Sequence, residues 1–363
     1  MKSIKSDSIY MVVPYGIGDA MILCGLKRHI EDRYGAEVVP VIKPSQEIVP
    51  KLYGITNYEL QAFGNNELRQ MAEFVKEPAP GKLFVAHPAF GKEQLNESFL
   101  NHRLSFVDML CEHYGIEHGL RIDFPVYCPE SKGELRRKLG YTDYKDIILL
   151  APEMKSASDS ERIQDNLFLK MISEYEDKGY KVVVNCDAHS DVYKGYAVDL
   201  SLEELVFLGC NAEKVISSRS GFCDLIYGFA ADLDILYPNK AFFDLFEMKK
   251  IFAKENTRAS ESVLSIAGEL RRLGYGSAAI YGYGNVGKRV RYSLQAENFD
   301  VQYVIDRNEI CEKGIDSFSI YQKLPQVDVV LVSIPDDGDI ACKLNSYGLN
   351  TLFLKDLMKG ANL

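Results

Sequence analysis

Short apolar runs alternate with amphipathic stretches along most of the chain. Runs of strand-forming residues occur at 8–14, 146–152, 214–218 and 277–283, where the letters are SIYMVVP, DIILLAP, KVISS and SAAIYGY. Between such runs, apolar residues recur at helical spacing, as they do in the segment 166–179. Strands that alternate with helices predict parallel sheets with helical crossovers, so the expected fold class is α/β.

The spacing of these elements predicts three α/β units. Two tandem Rossmann-like domains are expected at 1–142 and 143–273, and a small third Rossmann-like domain at 274–363. The segment 241–273 has the pattern of continuous helix and is expected to bridge or cover the domains. Tandem domains of this kind hold ligands at the carboxyl ends of their strands.

Charge and composition narrow the classes of function. The formal net charge is −10 over 363 residues, which excludes a protein that coats nucleic acid with a basic face. The chain has no apolar run of about 20 residues and no secretory h-region at its start, so we expect a cytoplasmic protein without a transmembrane segment. A peripheral position at the inner membrane is compatible with this expectation. The eight cysteines are scattered without zinc-type spacing, and we expect neither disulfides nor a bound metal.

The first strand leads into a glycine turn and a helix. Gly16 and Gly18 allow the backbone to approach a ligand, and Asp19 follows at the predicted helix start. A carboxylate there can cap the helix or act as a general base, and the pattern alone leaves both open. His87 and Lys43 also follow first-domain strands. His87 is a candidate on the acceptor side, although a structural, hydrogen-bonded histidine is the alternative.

The second domain carries two further loops that suit an anion. Ser218 and Ser220 precede Gly221 at a helix start, where free amides and hydroxyls favour phosphate. The loop after the strand at 146–152 carries Lys155 and Arg162, which could neutralise a diphosphate.

Together these motifs resemble the heptosyltransferases of glycosyltransferase family 9, which have the GT-B fold. The resemblance covers roughly residues 8–240. It implies that Asp19 is the base that deprotonates the acceptor hydroxyl. It also implies that Lys155 or Arg162, with Ser220 and Gly221, holds the diphosphate of a nucleotide sugar. The full donor set expected on this basis consists of Gly16, Gly18, Lys155, Arg162, Ser218, Arg219, Ser220 and Gly221.

Two departures from the family pattern affect the donor site. The late motif usually reads Asp-Ser/Thr-Gly-x-x-His, whereas this chain has Arg219-Ser220-Gly221-Phe-Cys-Asp224. The usual Trp-Pro after the basic residue is missing, and the chain contains no tryptophan. The resemblance therefore predicts the GT-B architecture more specifically than it predicts any particular sugar.

The resemblance implies an inverting, metal-independent transfer that needs no cofactor. The sugar would pass from a nucleotide sugar to a surface-polysaccharide or lipid-linked saccharide acceptor. Donor sugar, nucleotide base and acceptor stay open at this point.

The last ninety or so residues contain the pattern of a dinucleotide-binding turn. Gly282, Gly284 and Gly287 stand between a predicted strand and helix, and Asp306 ends the next strand nineteen residues later. Lys288, Arg289 and Arg291 follow the glycines, so NAD or a nucleoside diphosphate is a candidate ligand. A docking or regulatory domain without a ligand is the equal alternative.

Two other functions therefore remain beside glycosyl transfer. The chain could be an NAD(P)-dependent sugar oxidoreductase that uses the third domain, or a non-catalytic protein that binds a sugar nucleotide.

Overall fold

The structure is a computed structural model that describes residues 4–130, 133–140, 143–153, 162–230, 232–307, 314–334 and 339–357. The strands are β1 (Ser8–Val12), β2 (Glu37–Ile42), β3 (Glu59–Leu60), β4 (Leu83–Val85), β5 (Ile147–Ala151), β6 (Lys181–Asn185), β7 (Ala197–Val198), β8 (Lys214–Ser218), β9 (Leu233–Tyr237), β10 (Ala259–Val263), β11 (Ser277–Tyr281), β12 (Asp300–Ile305), β13 (Asp316–Phe318), β14 (Val329–Val332) and β15 (Thr351–Phe353).

The helices are α1 (Ile17–Tyr34), α2 (Ile48–Leu52), α3 (Asn65–Phe74), α4 (Glu93–Leu100), α5 (Phe106–Tyr114), α6 (Gly133–Leu139), α7 (Asp165–Asp177), α8 (Leu202–Asn211), α9 (Gly221–Ile226), α10 (Lys240–Phe246), α11 (Met248–Ile251), α12 (Ile266–Arg272), α13 (Asn285–Ala296), α14 (Asp339–Ser346) and α15 (Leu354–Leu357). Short 3-10 turns at Pro44–Gln46 and Pro88–Phe90 follow β2 and β4.

The described strands form three sheets. Their orders are β3-β2-β1-β4, β10-β9-β8-β5-β6-β7 and β13-β12-β11-β14-β15. The pairings of β1 with β2 and β4, of β5 with β6 and β8, and of β11 with β12 and β14 are all parallel. The predicted α/β fold class is confirmed.

Each sheet has a point where the strand order reverses. In the first sheet, β1 has β2 on one side and β4 on the other, and β5 and β11 have the same position in the other two sheets. Loops that leave neighbouring strands toward opposite faces open a crevice at such a point, and ligands of open α/β sheets bind there. The predicted glycine turns follow β1, β8 and β11, each beside one of these points.

The chain divides into two compact units. The first consists of residues 1–151, 178–234 and 245–260, and the second of residues 152–177, 235–244 and 261–363. The predicted domain boundaries after residues 142 and 273 stay predictions.

The segment 241–273 is not the continuous helix that its pattern predicts. The helices α10, α11 and α12 are interrupted by β10, which forms the edge of the second sheet. The letters of β10 are ASESV, and each of these residues is at least partly exposed, as in a short edge strand. This run is too short and too polar to be distinguished by pattern from the amphipathic helices around it.

Aliphatic and aromatic side chains fill separate cores around the first and third sheets. The first includes Tyr10, Val12, Val39, Val41, Leu68 and Val85. The third includes Ala279, Tyr281, Tyr303, Ile305, Val330 and Val332. Among the described residues, no helix combines the length and apolar character that a membrane crossing requires.

Candidate functional site

Asp19 lies in the first turn of α1, where the chain leaves the middle of the first sheet. Gly16 is the N-cap residue with an extended backbone, and its N–H donates to Asp19 Oδ2 at 3.3 Å. This contact is the cap that the sequence allowed. Asp19 Oδ1, in contrast, is buried and has no hydrogen-bond partner within the described part of the chain. Burying an acceptor without a donor costs free energy of folding. Only Oδ2 of this carboxyl group takes part in the helix cap.

Burial raises the pKa of Asp19 to about 6, and its side chain is 14% exposed. The amides of Gly16 and of Asp19 itself oppose this shift, as does the charge of Lys43, whereas the carboxylate of Asp224 adds to it. A carboxyl group that titrates near neutral pH can take up a proton from a substrate and release it again. The environment of Asp19 therefore suits general base chemistry.

His87 lies in the loop that follows β4, close to the same carboxyl group. Its Nε2 lies 3.8 Å from Asp19 Oδ1, and its Nδ1 accepts from the Ala89 N–H at 3.2 Å. Burial lowers the pKa of His87 to about 3, with a smaller contribution from His113. The ring is therefore neutral, and because Nδ1 accepts, the proton lies on Nε2, the nitrogen nearer to Asp19 Oδ1. The prediction placed His87 on the acceptor side, and the structure places it beside Asp19.

The Tyr15 side chain lies beside His87 and Asp19. Its ring packs edge-on against the His87 ring with centroids 4.7 Å apart. Its carbonyl accepts from Lys43 Nζ at 3.0 Å and from Gln46 Nε2 at 2.9 Å. These bonds hold the loop before α1 to the turn after β2, and they bring the Lys43 charge near Asp19.

The turn after β8 is in direct backbone contact with the glycine turn of α1. A Cβ on Gly221 would lie 2.8 Å from Gly18 N and 2.9 Å from Ile17 Cβ, so only glycine fits there. A Cβ on Gly18 would lie 3.3 Å from Asp224 Oδ2. Two turns that are two hundred residues apart in the sequence thus meet in the first compact unit, with Asp19, Ser220 and Gly221 on them.

Arg219, which the sequence placed in the donor site, is 4% exposed. Its Nε donates to the Phe246 carbonyl at 3.1 Å and its Nη1 to the Ser220 carbonyl at 2.7 Å. Nη1 also donates to Asp224 Oδ2 at 3.1 Å, and Nη2 lies 2.7 Å from Asp224 Oδ1. The guanidinium is in contact with protein oxygens on each of its nitrogens. Ser218 is also fully buried, whereas Ser220 and Gly221 are half-buried.

Of the two basic residues in the loop after β5, only one can be located. Lys155 lies outside the described residues, and Arg162 is exposed just before α7. Their roles stay predictions.

In the second compact unit, the glycines of the turn after β11 have different environments. Gly282 has φ of +86°, and a Cβ there would lie 2.4 Å from Ile334 Cγ2. A Cβ on Gly287 would lie 2.3 Å from the Gly282 carbonyl oxygen. Gly284, the N-cap of α13, has no atom of the described residues within 4 Å of the position that a Cβ would take. The first and third glycines are thus required by packing, while the second leaves open space.

The polar groups around this turn are partly engaged. Asp306 Oδ2 accepts from the Tyr283 N–H at 2.7 Å, and Ser333 Oγ donates to the Gly282 carbonyl at 2.6 Å. Arg291 is buried and donates from Nη1 to the Tyr283 hydroxyl at 2.6 Å. Of the three cations after the glycines, Lys288 is exposed and the Arg289 guanidinium lies 5.9 Å from the Phe242 ring centre.

The described residues contain no cluster of three or more histidine, cysteine or carboxylate side chains that could hold a metal ion. The cysteines that the structure describes are free thiols.

Sequence reasoning missed two members of this site. In the sequence, Asp224 stands out only as a departure from the family motif, and Tyr15 belongs to no motif. Arg219 and Asp224 stand five residues apart across a turn into a helix, a spacing at which opposite charges can meet, and that spacing was the available signal.

No protein-family model and no curated protein matches the chain. Similar solved structures include a glycosyl transferase of family 9 from Veillonella parvula DSM 2008, with 14% identity, coverage of 82% of this chain and 99% of that one, and a TM-score of 0.46. The E. coli ADP-heptose lipopolysaccharide heptosyltransferase II has 14% identity, coverage of 80% and 99%, and a TM-score of 0.48. E. coli heptosyltransferase WaaC, solved with ADP-2-deoxy-2-fluoro heptose, has 12% identity, coverage of 69% and 92%, and a TM-score of 0.40.

Proposed function

We propose that the chain is a glycosyltransferase that moves a sugar from a nucleoside diphosphate sugar to the hydroxyl of a saccharide or lipid-linked saccharide. In this proposal the displacement inverts the anomeric centre and uses neither a metal nor another cofactor. Asp19 is the general base. The transfer takes place in the cytoplasm, with a surface polysaccharide as the eventual product.

One observation carries the proposal. Asp19 has one oxygen in a helix cap and the other buried without a partner among the described residues, and its pKa is raised to about 6. A purely structural cap would keep its carboxylate solvated or fully hydrogen-bonded, with a pKa at or below the ordinary range. The site therefore maintains a costly carboxyl group at the point where ligands of such sheets bind.

The proposed reaction is a single displacement. Asp19 takes the proton of the acceptor hydroxyl, and the resulting oxygen attacks the anomeric carbon of the donor sugar. The bond between that carbon and the diphosphate oxygen breaks, and the nucleoside diphosphate leaves with the electron pair. The amides of the turn at 218–221 and the cations Lys155 and Arg162 are proposed to stabilise the charge on the leaving group.

His87 has a positioning role in this proposal. Its Nε2 lies 3.8 Å from Asp19 Oδ1, and the ring is neutral because burial lowers its pKa to about 3. A neutral donor orients the carboxyl group without neutralising the charge that makes it a base.

A ligand screen followed by a transfer assay tests the proposal. Thermal shift with ADP, UDP and GDP and with their sugar derivatives identifies the nucleotide, because a ligand at 100 times its Kd adds about 2.7 kcal/mol to the free energy of unfolding. Release of nucleoside diphosphate from the selected donor, in the presence of mono- and oligosaccharide acceptors, then measures transfer. Asp19→Asn should abolish transfer and retain nucleotide binding.

Asp108→Asn is the matched control. Asp108 also lies in the first turn of a first-unit helix, but its carboxylate is hydrogen-bonded to Ser105 and to the Gly119 N–H, and its pKa is lowered by these bonds against the effect of burial. This variant should transfer sugar at the wild-type rate. Full turnover in Asp19→Asn would remove the base from the proposal, and binding of nucleotide without transfer to any acceptor would favour the non-catalytic alternative.

A second ligand site is proposed at the turn after β11. The observation that favours it is the open space at Gly284 beside the tightly packed Gly282 and Gly287, which matches what a bound pyrophosphate needs from the middle glycine. NAD or a nucleoside diphosphate would lie with its phosphates at the start of α13 and its ribose near Asp306.

Fluorescence titration with NADH distinguishes this site from the first. Binding of NADH that Gly284→Val abolishes, without loss of sugar-nucleotide binding, would support a separate site. Hydride transfer from bound NADH to a sugar substrate would favour the oxidoreductase alternative, and no binding at millimolar NADH would exclude it.

A further inference from the structure

The ion pair of Arg219 and Asp224 is unusual because both side chains are almost fully buried. They are 4% and 3% exposed, and the guanidinium meets both carboxylate oxygens. Removing two charges from water costs about as much as their attraction returns, so a buried pair seldom serves stability alone. The role of this ion pair therefore depends on which parts of the chain it holds in position.

Arg219 connects three pieces of the chain. Besides Asp224 in α9, it donates to the carbonyl of Ser220 in the turn and to the carbonyl of Phe246 at the end of α10. The planar guanidinium fixes the directions of all these bonds at once. The turn at 218–221 therefore cannot move without breaking several charge-assisted hydrogen bonds.

Asp224 and Gly221 lie against the loop that carries Asp19. Asp224 Oδ2 is 3.3 Å from the position that a Cβ on Gly18 would take, and a Cβ on Gly221 would lie 2.8 Å from Gly18 N. Gly18 is the residue directly before Asp19, and the contacts between the two turns include its backbone nitrogen. A shift of α9 would thus be transmitted to the loop at 16–19.

We propose that Arg219 and Asp224 are positioning residues for Asp19, because they hold the first turn of α9 against the Gly16–Asp19 loop and so determine where the Asp19 carboxyl group lies. The proposal rests on the function proposed above, in which Asp19 is the base. It also changes the expected role of Arg219, which acts through Asp224 and the turn rather than on a diphosphate.

The same arrangement has an electrostatic effect on Asp19. The titratable groups that face its carboxyl group are Tyr15, Lys43, His87, Tyr114 and Asp224. Among them Asp224 adds a negative charge that raises the pKa of Asp19, and Lys43 adds a positive charge that lowers it. Loss of the Asp224 carboxylate should therefore move the titration of Asp19 to lower pH.

The double variant Arg219→Met/Asp224→Leu tests the proposal without leaving an unpaired buried charge. If the pair positions Asp19, kcat should fall about 100-fold because a base displaced by about 1 Å loses that much, while the Kd of the nucleotide selected from ADP, UDP and GDP stays within about twofold. The ¹³C carboxyl signal of Asp19, assigned by its loss in Asp19→Asn, should titrate at lower pH than in the wild type. Asp224→Asn keeps the shape and one acceptor oxygen, and serves the same comparison if the double variant does not fold.

Glu204→Gln is the matched control. Glu204 is a comparably buried carboxylate of the first unit, and it is paired with Lys138 at 2.7 Å. It should lower the melting temperature without changing kcat or the Asp19 titration.

The two proposals fail in different ways. A folded double variant with wild-type kcat and an unchanged Asp19 titration would overturn the positioning role, whatever the reaction. If the wild type transfers no sugar, the proposed function fails, and the ¹³C titration still decides the positioning role because it does not depend on turnover. A kcat that falls together with a weaker nucleotide Kd would also overturn it, since Arg219 or Asp224 would then contribute to binding.

Discussion

The glycine turn of α1 and the glycine turn of α13 look alike in sequence but are built around different groups. In the first compact unit, Gly18 and Gly221 pack against each other and against the buried carboxylate of Asp224. In the second, Gly282 and Gly287 pack against each other and against the neutral Ser333 hydroxyl and Ile334. Glycine spacing therefore predicts where a backbone turns sharply, while buried charge indicates where chemistry is maintained at a cost.

Among the substitutions that test this difference, Asp19→Asn should have the largest effect. We expect kcat to fall about 1000-fold, as for other general bases, while the free energy of unfolding at pH 8 rises by about 3 kcal/mol. The pKa of Asp19 is raised to about 6, so ionisation opposes folding above pH 6, and this penalty disappears as the pH falls toward 4. Urea unfolding at pH 8 and pH 4, beside an assay of transfer, measures both effects.

Asp108→Asn should show the opposite sign, because its pKa is lowered and its ionised form stabilises the fold above pH 4. If both variants lost stability at pH 8, Asp19 would be an ordinary cap and the contrast between the two turns would lose its basis.

Lowering the pH should destabilise the first unit but not the second. All six histidines lie in the first unit, and burial lowers the pKa of His87 to about 3 and of His113 to about 4. Folding keeps them neutral, so stability is complete above about pH 6.5 and is lost as the pH falls below that value. With the opposing effect of Asp19 included, the first unit should lose about 3 kcal/mol between pH 7.5 and pH 5.

Hydrogen exchange followed by peptide mass spectrometry resolves the two units. Peptides of the first unit should lose protection at pH 5 after correction for intrinsic exchange, and those of the second should not. His113→Gln should restore part of the protection. Equal losses in both units would show that they unfold together.

Alanine at the packed glycines should have a smaller effect. Gly287→Ala brings a Cβ to 2.3 Å from a carbonyl oxygen, and Gly221→Ala brings one to 2.8 Å from a backbone nitrogen. We expect each to destabilise the fold by about 2 kcal/mol, which the shift of the urea midpoint measures. A Cβ on Gly16 or Gly284 would meet no atom within 4 Å in the described part of the chain, so Gly16→Ala and Gly284→Ala should change the free energy of unfolding by no more than about 0.5 kcal/mol.

The smallest effect is expected on ligand binding at the second turn. Gly284→Ala should weaken nucleotide binding at that turn about tenfold, or 1.4 kcal/mol, without changing the melting temperature. Calorimetric titration with NADH measures the affinity. A large loss of stability in this variant would mean that the glycine serves packing, as Gly287 does.

The sequence predicted the central strands and the turns that follow them, but not the contacts between turns. Runs such as IILLA and SAAIY are buried on both faces and therefore read clearly as parallel strands. Edge strands such as β10 are short and rich in polar residues, so their local pattern resembles that of the neighbouring helices.

The contact of Gly221 with Gly18 could not be predicted, because it depends on the packing of α9 against α1 and not on either motif. For the same reason, Arg219 was expected to face a ligand. The five-residue spacing allows Arg219 and Asp224 to meet, but it does not tell whether the guanidinium pairs with that carboxylate or faces a ligand.

The buried position of Arg219 has a consequence for the rate of substrate encounter. The basic residue closest in sequence to the Ser220–Gly221 turn is already paired, and the chain as a whole carries a net charge of −10. An anionic donor therefore approaches this turn without long-range attraction from Arg219 and against the overall field of the protein. Added salt screens that field, so donor association should become faster with ionic strength, in contrast to proteins that steer phosphates with exposed arginines.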